Sequence, residues 1–491
     1  MKQAVALAVA MLVVILVLGS LVYYGYETTS DQLSKTKGNL NAQIAVLHGN
    51  ITSLSSQVSL EQSTIQALDN QVSSLKSKGS QGNTTVQTLE NEVSSLESQL
   101  SKDGSLIQSL SNQVSILQSD VAGMQLNCGS PITTNVTLSA DIGPCSGTGL
   151  VVQQGRLFLD CAGHAIEGDG STHYSGIRLY DSKNVIIKNC QVRGFEVGLS
   201  LVDSSDGVLS GDNASGNGYA GFLLNGTSSG NILARDIADG NHFGFDVNGS
   251  SFNILNTNTA YRNGADGFCI EGASSNTLDN NTAGLSQGNG FSFSSSSESI
   301  LTMNNASENA LDGFSFSRSS GNGLTENTAN GEGVGFYFAS FSNNNAVTKN
   351  AASHDSYGFG FNDSSYNSLV GNTATVNSHD GFYFYSSSAN NTLTSNLADG
   401  NSNDGFHLSG ASGGMFIQNT ANRNSEDGFY TSSSSGIDFR NNTADSNIQY
   451  GYYDATKGTG TSGTANSYAK DVCEDNGVAG SSPSGLGGPQ T

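Results

Sequence analysis

The chain has 491 residues, rich in Gly, Ser, Asn and Thr, with only 12% charged residues, 4 Pro and no Trp. Its 42 acidic and 19 basic residues give a net charge of −23, with no Lys/Arg cluster, which excludes nucleic acid as a partner. So polar a composition would suit a disordered chain, but a phenylalanine that returns every 23 residues between Phe222 and Phe429 rules that out for the larger part.

Residues 3–26 carry no charge and include AVALAVAMLVVILVLGSLVYY, about the 20 apolar residues that a membrane span requires. Lys2 precedes this stretch, and Glu27 and Asp31 follow it. The positive-inside rule then predicts a single-pass anchor over 1–26, N-terminus cytoplasmic, with the remainder extracellular. Tyr23, Tyr24 and Tyr26 stand where an interfacial aromatic belt belongs, whereas a cleaved signal peptide would show a shorter apolar core and a small-x-small site.

Residues 27–126 are read as a coiled-coil stalk. From Leu33 to Met124 a heptad runs unbroken, and 22 of its 27 core positions are apolar. Ile or Val predominates at a (Ile44, Ile51, Val58, Ile65) and Leu at d (Leu40, Leu47, Leu54, Leu68), which favours a parallel homodimer; uncharged flanks leave a trimer open. Gly79 and Gly82 mark a hinge without a change of phase. A fragment of residues 27–126 is therefore expected to be helical and self-associated, with a melting temperature that rises with concentration. Sedimentation as a monomer at tens of micromolar, where a coil this long should associate, would overturn the stalk.

Residues 127–475 repeat. Thirteen glycines, from Gly176 through Gly198, Gly221 and onward to Gly451, are spaced 22, 23 or 24 residues apart, each followed by an apolar residue. A fixed period of this length signals a solenoid whose units bury their apolar faces against one another. Each unit holds three short apolar runs separated by Asn, Gly and Ser turns. The fold predicted is all-β, a right-handed parallel β-helix of about 12 coils of 23 residues. Side chains alternate faces along a strand, so in GFSF (290–293) both phenylalanines point inward and Ser292 outward. Asn258, Asn281, Asn304, Asn327, Asn350, Asn372, Asn396, Asn419 and Asn442 form a column, read as turn residues whose amides bond from coil to coil. Residues 476–491 are expected to be a flexible C-terminal tail.

Cys128, Cys145, Cys161 and Cys190 lie within 63 residues and contain no CxxC. They suggest two structural disulfides outside the cytoplasm, with Cys128–Cys145 and Cys161–Cys190 preferred among three pairings. Cys269 occupies a strand position and is expected to be buried and inert.

LDCAGHAIEGDG (159–170), followed by GIRLYDSKNVIIKNCQVRGFEVGLSL (176–201), resembles the opening coils of right-handed parallel β-helix proteins of the pectin-lyase-like superfamily, and within it the NosD-like, PbH1-repeat group. The resemblance covers roughly 130–475 and implies the fold. It implies little about function, because the group mixes lyases, hydrolases, epimerases and binding modules. The chain has no Asp-Asp pair and no NTD, GHG or RIK triplet of the polygalacturonase kind, and His164 reads as a packing residue near the cap. Met, Cys and His form no close group of the sort copper takes. No catalytic residue is assigned.

Two columns remain. Asp380, Asp404 and Asp427 precede the repeat glycine on consecutive coils. They are candidate Ca2+ ligands, the alternative being exposed turn residues. Tyr337, Tyr383, His407, Tyr430 and Tyr453 should face outward on one sheet, as flat rings suited to glycans or to a protein surface. The reading that results is a membrane-anchored cell-surface protein whose non-catalytic β-helix binds carbohydrate or another surface. A tethered polysaccharide lyase or glycoside hydrolase is the alternative, and a spike with a receptor-binding β-helix is a third.

Overall fold

The computed structural model describes residues 126–488 apart from Thr172, together with Asn70. The chain divides into two compact units, 1–122 and 123–491, and the described residues belong almost wholly to the second. The anchor expected over 1–26 and, apart from Asn70 and Leu126, the coiled coil expected over 27–126 fall outside them. Among the described residues no helix is long and apolar enough to cross a membrane.

Three parallel sheets of 16, 15 and 13 strands wind as a solenoid of about 14 turns. The first sheet runs from Ser130–Ile132 to Ala479–Ser482, the second from Val136–Thr137 to Ser467–Ala469, the third from Ile142–Cys145 to Thr420–Asn422. There are more turns than the glycine register predicts, because the coils before Gly176 and after Gly451 lack the Gly-Phe signature. The tail is also corrected: Ala479–Ser482 pairs with Tyr450–Asp454, and Leu486 is buried. An insertion around the 3-10 turn Thr461–Gly463 lengthens the last step to 29 residues, so that Asp438 pairs with Ser467.

Through the central coils each sheet sends chiefly one kind of side chain inward. Phe222, Phe245, Phe268, Phe291, Phe314, Phe336, Phe359, Phe382, Phe406 and Phe429 stack at 4.7–4.8 Å with rings nearly parallel. A second stack runs from Phe293 to Phe384 on the same sheet. Leucines such as Leu278, Leu301 and Leu324 fill the second sheet, and alanines such as Ala283, Ala306 and Ala329 the third. The alanine column explains the glycines. A Cβ on Gly290 would lie 2.7 Å from the Gly313 carbonyl oxygen and 2.9 Å from the Ala306 Cβ, so close approach of two sheets, not a left-handed backbone, demands glycine there.

The asparagines do more than turn the chain. Asn281 Oδ1 accepts the Asn258 backbone N–H at 2.9 Å, while Asn281 Nδ2 donates to Leu255 O and to Asn304 Oδ1, so one side chain ties three coils. The left-handed residue of this corner is the one before the asparagine, whatever its type: Thr257, Met303, Glu326 and Lys349 all have φ between 52° and 58°. The strain is held in place by the ladder beside it. Two further ladders exist, one through Asn322, Asn345 and Asn367 and one through Asn377, Asn401 and Asn424.

Disulfides join Cys128 to Cys145 and Cys161 to Cys190, with Cα atoms 5.5 and 4.7 Å apart, and fasten the opening coils. Cys269 is not in the core: it pairs with Ser292 in an outward column and is half-buried. Burial, with Asp246, Asp266 and Glu271 nearby, pushes its thiol up, so it carries no thiolate.

Candidate functional site

The outward column of the first sheet lies one residue beyond the inner aromatics. In register it runs Asp246, Cys269, Ser292, Ser315, Tyr337, Gly360, Tyr383, His407, Tyr430, Tyr453. Tyr337, Tyr383, His407, Tyr430 and Tyr453 thus share one face, and all five are half-buried, the last four against each other. Tyr383 meets His407 edge-on at 5.0 Å, His407 leans on Tyr430 at 4.6 Å, and Tyr430 stacks on Tyr453 at 5.4 Å. Tyr337 is drawn to the side. Its ring lies across Gly360, and its hydroxyl reaches the Tyr385 hydroxyl at 2.8 Å and accepts from Asn362 Nδ2.

Gly360 therefore belongs to the site through its missing side chain, since a Cβ there would come within 3.1 Å of the Tyr337 ring. Three more rings escaped the sequence reading. Tyr357 stacks on Tyr383 at 5.5 Å and on His379 at 4.8 Å, and Tyr385 stacks on Tyr383 at 4.7 Å. They occupy neighbouring outward positions, and aligning all outward positions of the repeat instead of one would have exposed them.

Beneath the rings lies the acidic column. Asp380, Asp404 and Asp427 are buried, not exposed turn residues. Each uses Oδ1 to accept the backbone N–H of the next coil: Asp404 N to Asp380, Asp427 N to Asp404 and Tyr450 N to Asp427, at 2.8–3.0 Å. Burial pushes Asp380 and Asp427 up to about 7. His407 Nδ1 sits between two of these carboxylates, 2.9 Å from Asp404 Oδ2 and 3.6 Å from Asp380 Oδ2. Burial alone would lower the His407 pKa, but the two aspartates outweigh it and raise it, which favours the imidazolium.

The group with metal-binding geometry is thus Asp380, Asp404 and His407, whose ligand atoms lie within 4.8 Å of one another; Asp427 does not join it. Two carboxylate oxygens and one nitrogen fall short of the six to eight oxygens of Ca2+. The set lacks sulfur and holds a single imidazole, and Met303 and Met415 stand exposed elsewhere, so it does not fit copper either. His164 pairs with Asp141 at the surface and takes no part.

Residues 226–352 and 338–472 match the family model described as periplasmic copper-binding protein (NosD), and residues 122–283 match that of the right handed beta helix region. No curated protein sequence matches the chain. Solved structures similar to it include DFA-IIIase from Arthrobacter chlorophenolicus A6, at 12% identity and a TM-score of 0.36 over 48% of this chain and 71% of that one. Another is the periplasmic alginate epimerase AlgG, at 13% identity and a TM-score of 0.33 over 69% and 75%. A third is tailspike protein 2 from Escherichia coli O157:H7 bacteriophage CAB120, at 12% identity and a TM-score of 0.32 over 56% and 40%. At such identities none of them carries a residue role to this chain.

Proposed function

The chain belongs to the NosD-like right-handed β-helix proteins, and on that fold we propose that its first sheet is a non-catalytic carbohydrate-binding face displayed at the cell surface. One observation carries this reading: the contiguous run Tyr383, His407, Tyr430 and Tyr453, whose stacked rings are half open to solvent on a sheet fixed by hydrogen bonds to both neighbouring coils. An aromatic ring offers an apolar face to the C–H side of a sugar, and a tyrosine adds a hydroxyl for the sugar's own hydroxyls. Rings already stacked lose little freedom on binding, which favours affinity. The two disulfides agree with an oxidising compartment, and the apolar N-terminal stretch and heptad support an anchored, self-associated form.

Hydrolysis would call on Asp380 and Asp404. Each spends one oxygen on the ladder, and His407 lies between the other two, so neither stands free to flank a glycosidic bond. A glycan array read alongside reducing-sugar release separates binding from cleavage. Replacing Tyr383 and Tyr430 together by Ala should weaken binding about tenfold, or roughly 1.4 kcal/mol. Stability should fall by no more than about 1 kcal/mol, a few degrees in Tm. Normal binding by a destabilised double variant would make the rings structural and overturn the reading, and so would sugar release by the wild type.

A further inference from the structure

A second group of rings stands on the same sheet, toward its N-terminal end. Tyr219 meets Phe243 edge-on at 5.5 Å, and His242 packs on Phe243 at 4.6 Å; none of the three is in the core. The Tyr219 hydroxyl donates to Asp246 Oδ2 at 2.8 Å, and Asp246 is only 3% exposed. The arrangement repeats the motif at Tyr383, where half-open rings and a histidine stand over a buried aspartate. Phe243 precedes its repeat glycine as Tyr357 does, and His242 holds the same place as His379. Asp246 lies in the outward column that leads to Tyr383.

Between the two groups the floor is mostly of small side chains, with Tyr337 near its far end. On the strands Phe291–Ser294 and Phe314–Ser317 the outward side chains are Ser292, Ser294, Ser315 and Ser317. From the Phe245 coil to the Phe382 coil there are six steps of 4.7–4.8 Å, roughly 28 Å at the strand spacing. Among the described first-sheet strands from Phe243–Asn248 to Tyr450–Asp454 none holds a Lys or Arg. Asp266, Glu271, Asp312 and Glu426 add acid beside this face, against exposed Arg318 next to Ser317, so a polyanion would meet net repulsion.

The geometry points to a second subsite at Tyr219, His242 and Phe243, which together with the Tyr383–Tyr453 platform holds one uncharged linear polysaccharide lying along the axis of the solenoid. The inference rests on the carbohydrate-binding reading above. An extended glycan advances by about one strand spacing per sugar, roughly 5 Å, so about six sugars separate the subsites. A trimer reaches one subsite only. A nonamer reaches both, and the second contact is then intramolecular, which raises affinity without any new kind of contact.

The test uses trimers and nonamers of β-1,4-linked glucose, mannose and N-acetylglucosamine, with a galacturonate nonamer as the anionic counterpart, titrated into the full-length protein and its variants. The wild type is expected to bind a neutral nonamer at least tenfold more tightly than the trimer of the same sugar. In the variant carrying His242→Ser and Phe243→Ser the advantage should vanish while trimer binding is unchanged, which also shows that the variant is folded. Phe243→Ser alone should remove most of it. Equal affinity of the wild type for both lengths, or a nonamer that binds the double variant as tightly as the wild type, overturns the second subsite and leaves the first standing. Preference for the galacturonate nonamer overturns the uncharged class. No binding of any oligomer by the wild type overturns the carbohydrate reading itself.

Discussion

Replacing Phe314 by Ala should cost roughly 3–5 kcal/mol of stability. Phe314 is fully buried, with its ring 4.7 Å from Phe291 on one side and 4.7 Å from Phe336 on the other, both nearly parallel. The loss should sit high in that range because the site cannot close. The strands above and below are held at their spacing by ladder hydrogen bonds and by Asn281, Asn304 and Asn327, so the neighbouring rings cannot move in to fill the void. A solenoid coil touches only its neighbours. The damage should therefore appear in hydrogen exchange as faster opening of the coils around 291–338 and little change at the disulfide-bonded start. Ser294→Ala, on the outward side of the adjacent strand, should change stability by no more than about 0.5 kcal/mol. A loss below about 1 kcal/mol for Phe314→Ala in chemical denaturation would mean that the ring does not support the stack.

How far the sequence reveals this protein depends on which neighbour a residue answers to. Phe268 and Phe291 answer to the strand they sit in: alternation and a 23-residue period are enough to place them inside, and close spacing favours, among three pairings, the one that the four early cysteines form. Gly290 was visible as a marker but not as a requirement, because its reason is the Ala306 Cβ on another sheet. The burial of Asp380 was hidden for the same kind of reason. An Asp before Gly reads as an exposed turn, whereas here the carboxylate folds back to accept the Asp404 N–H one coil on, and so becomes buried. The face was half legible. The column through Tyr383, His407 and Tyr430 follows from alternation, but the link from Tyr337 to Tyr385 skips a coil and exists only because position 360 is Gly. Contacts between coils are set by the phase of each turn, and a composition or period does not contain that phase.

The solenoid should be most stable in acid and lose stability steadily as the pH rises from about 4 to 8. Along the third asparagine ladder two positions are acids: Glu332 accepts the Asn309 N–H and Nδ2, and Asp355 accepts the Glu332 N–H through Oδ1. Asp355 Oδ2 is buried without a partner, at the place where an asparagine would donate. Burial pushes Asp355 up to about 7 and Glu332 up to about 8, and it raises Asp212 to about 8 and Asp380 and Asp427 to about 7. An acid whose pKa is higher folded than unfolded holds its proton in the native state while the unfolded chain has released it. Its contribution is complete below the unfolded value near 4 and is lost as the pH climbs through the folded value. His407 adds in the same direction, since its raised pKa makes the imidazolium a native-state feature that disappears on deprotonation. With about 1.4 kcal/mol per pKa unit, half of the shift at Glu332 and Asp355 alone amounts to a loss of about 5 kcal/mol by pH 9. Thermal melts across pH 4–9 should show Tm falling throughout. The paired substitution Glu332→Gln with Asp355→Asn should flatten that slope and raise stability at pH 8. At 355 the new amide can donate as Asn401 Nδ2 does to Ala374 O, and it carries no charge to bury. A Tm that rises between pH 5 and 8, or a doubly amidated variant less stable than the wild type at pH 8, would show these acids ionised and solvated in the native ladder and not buried within it.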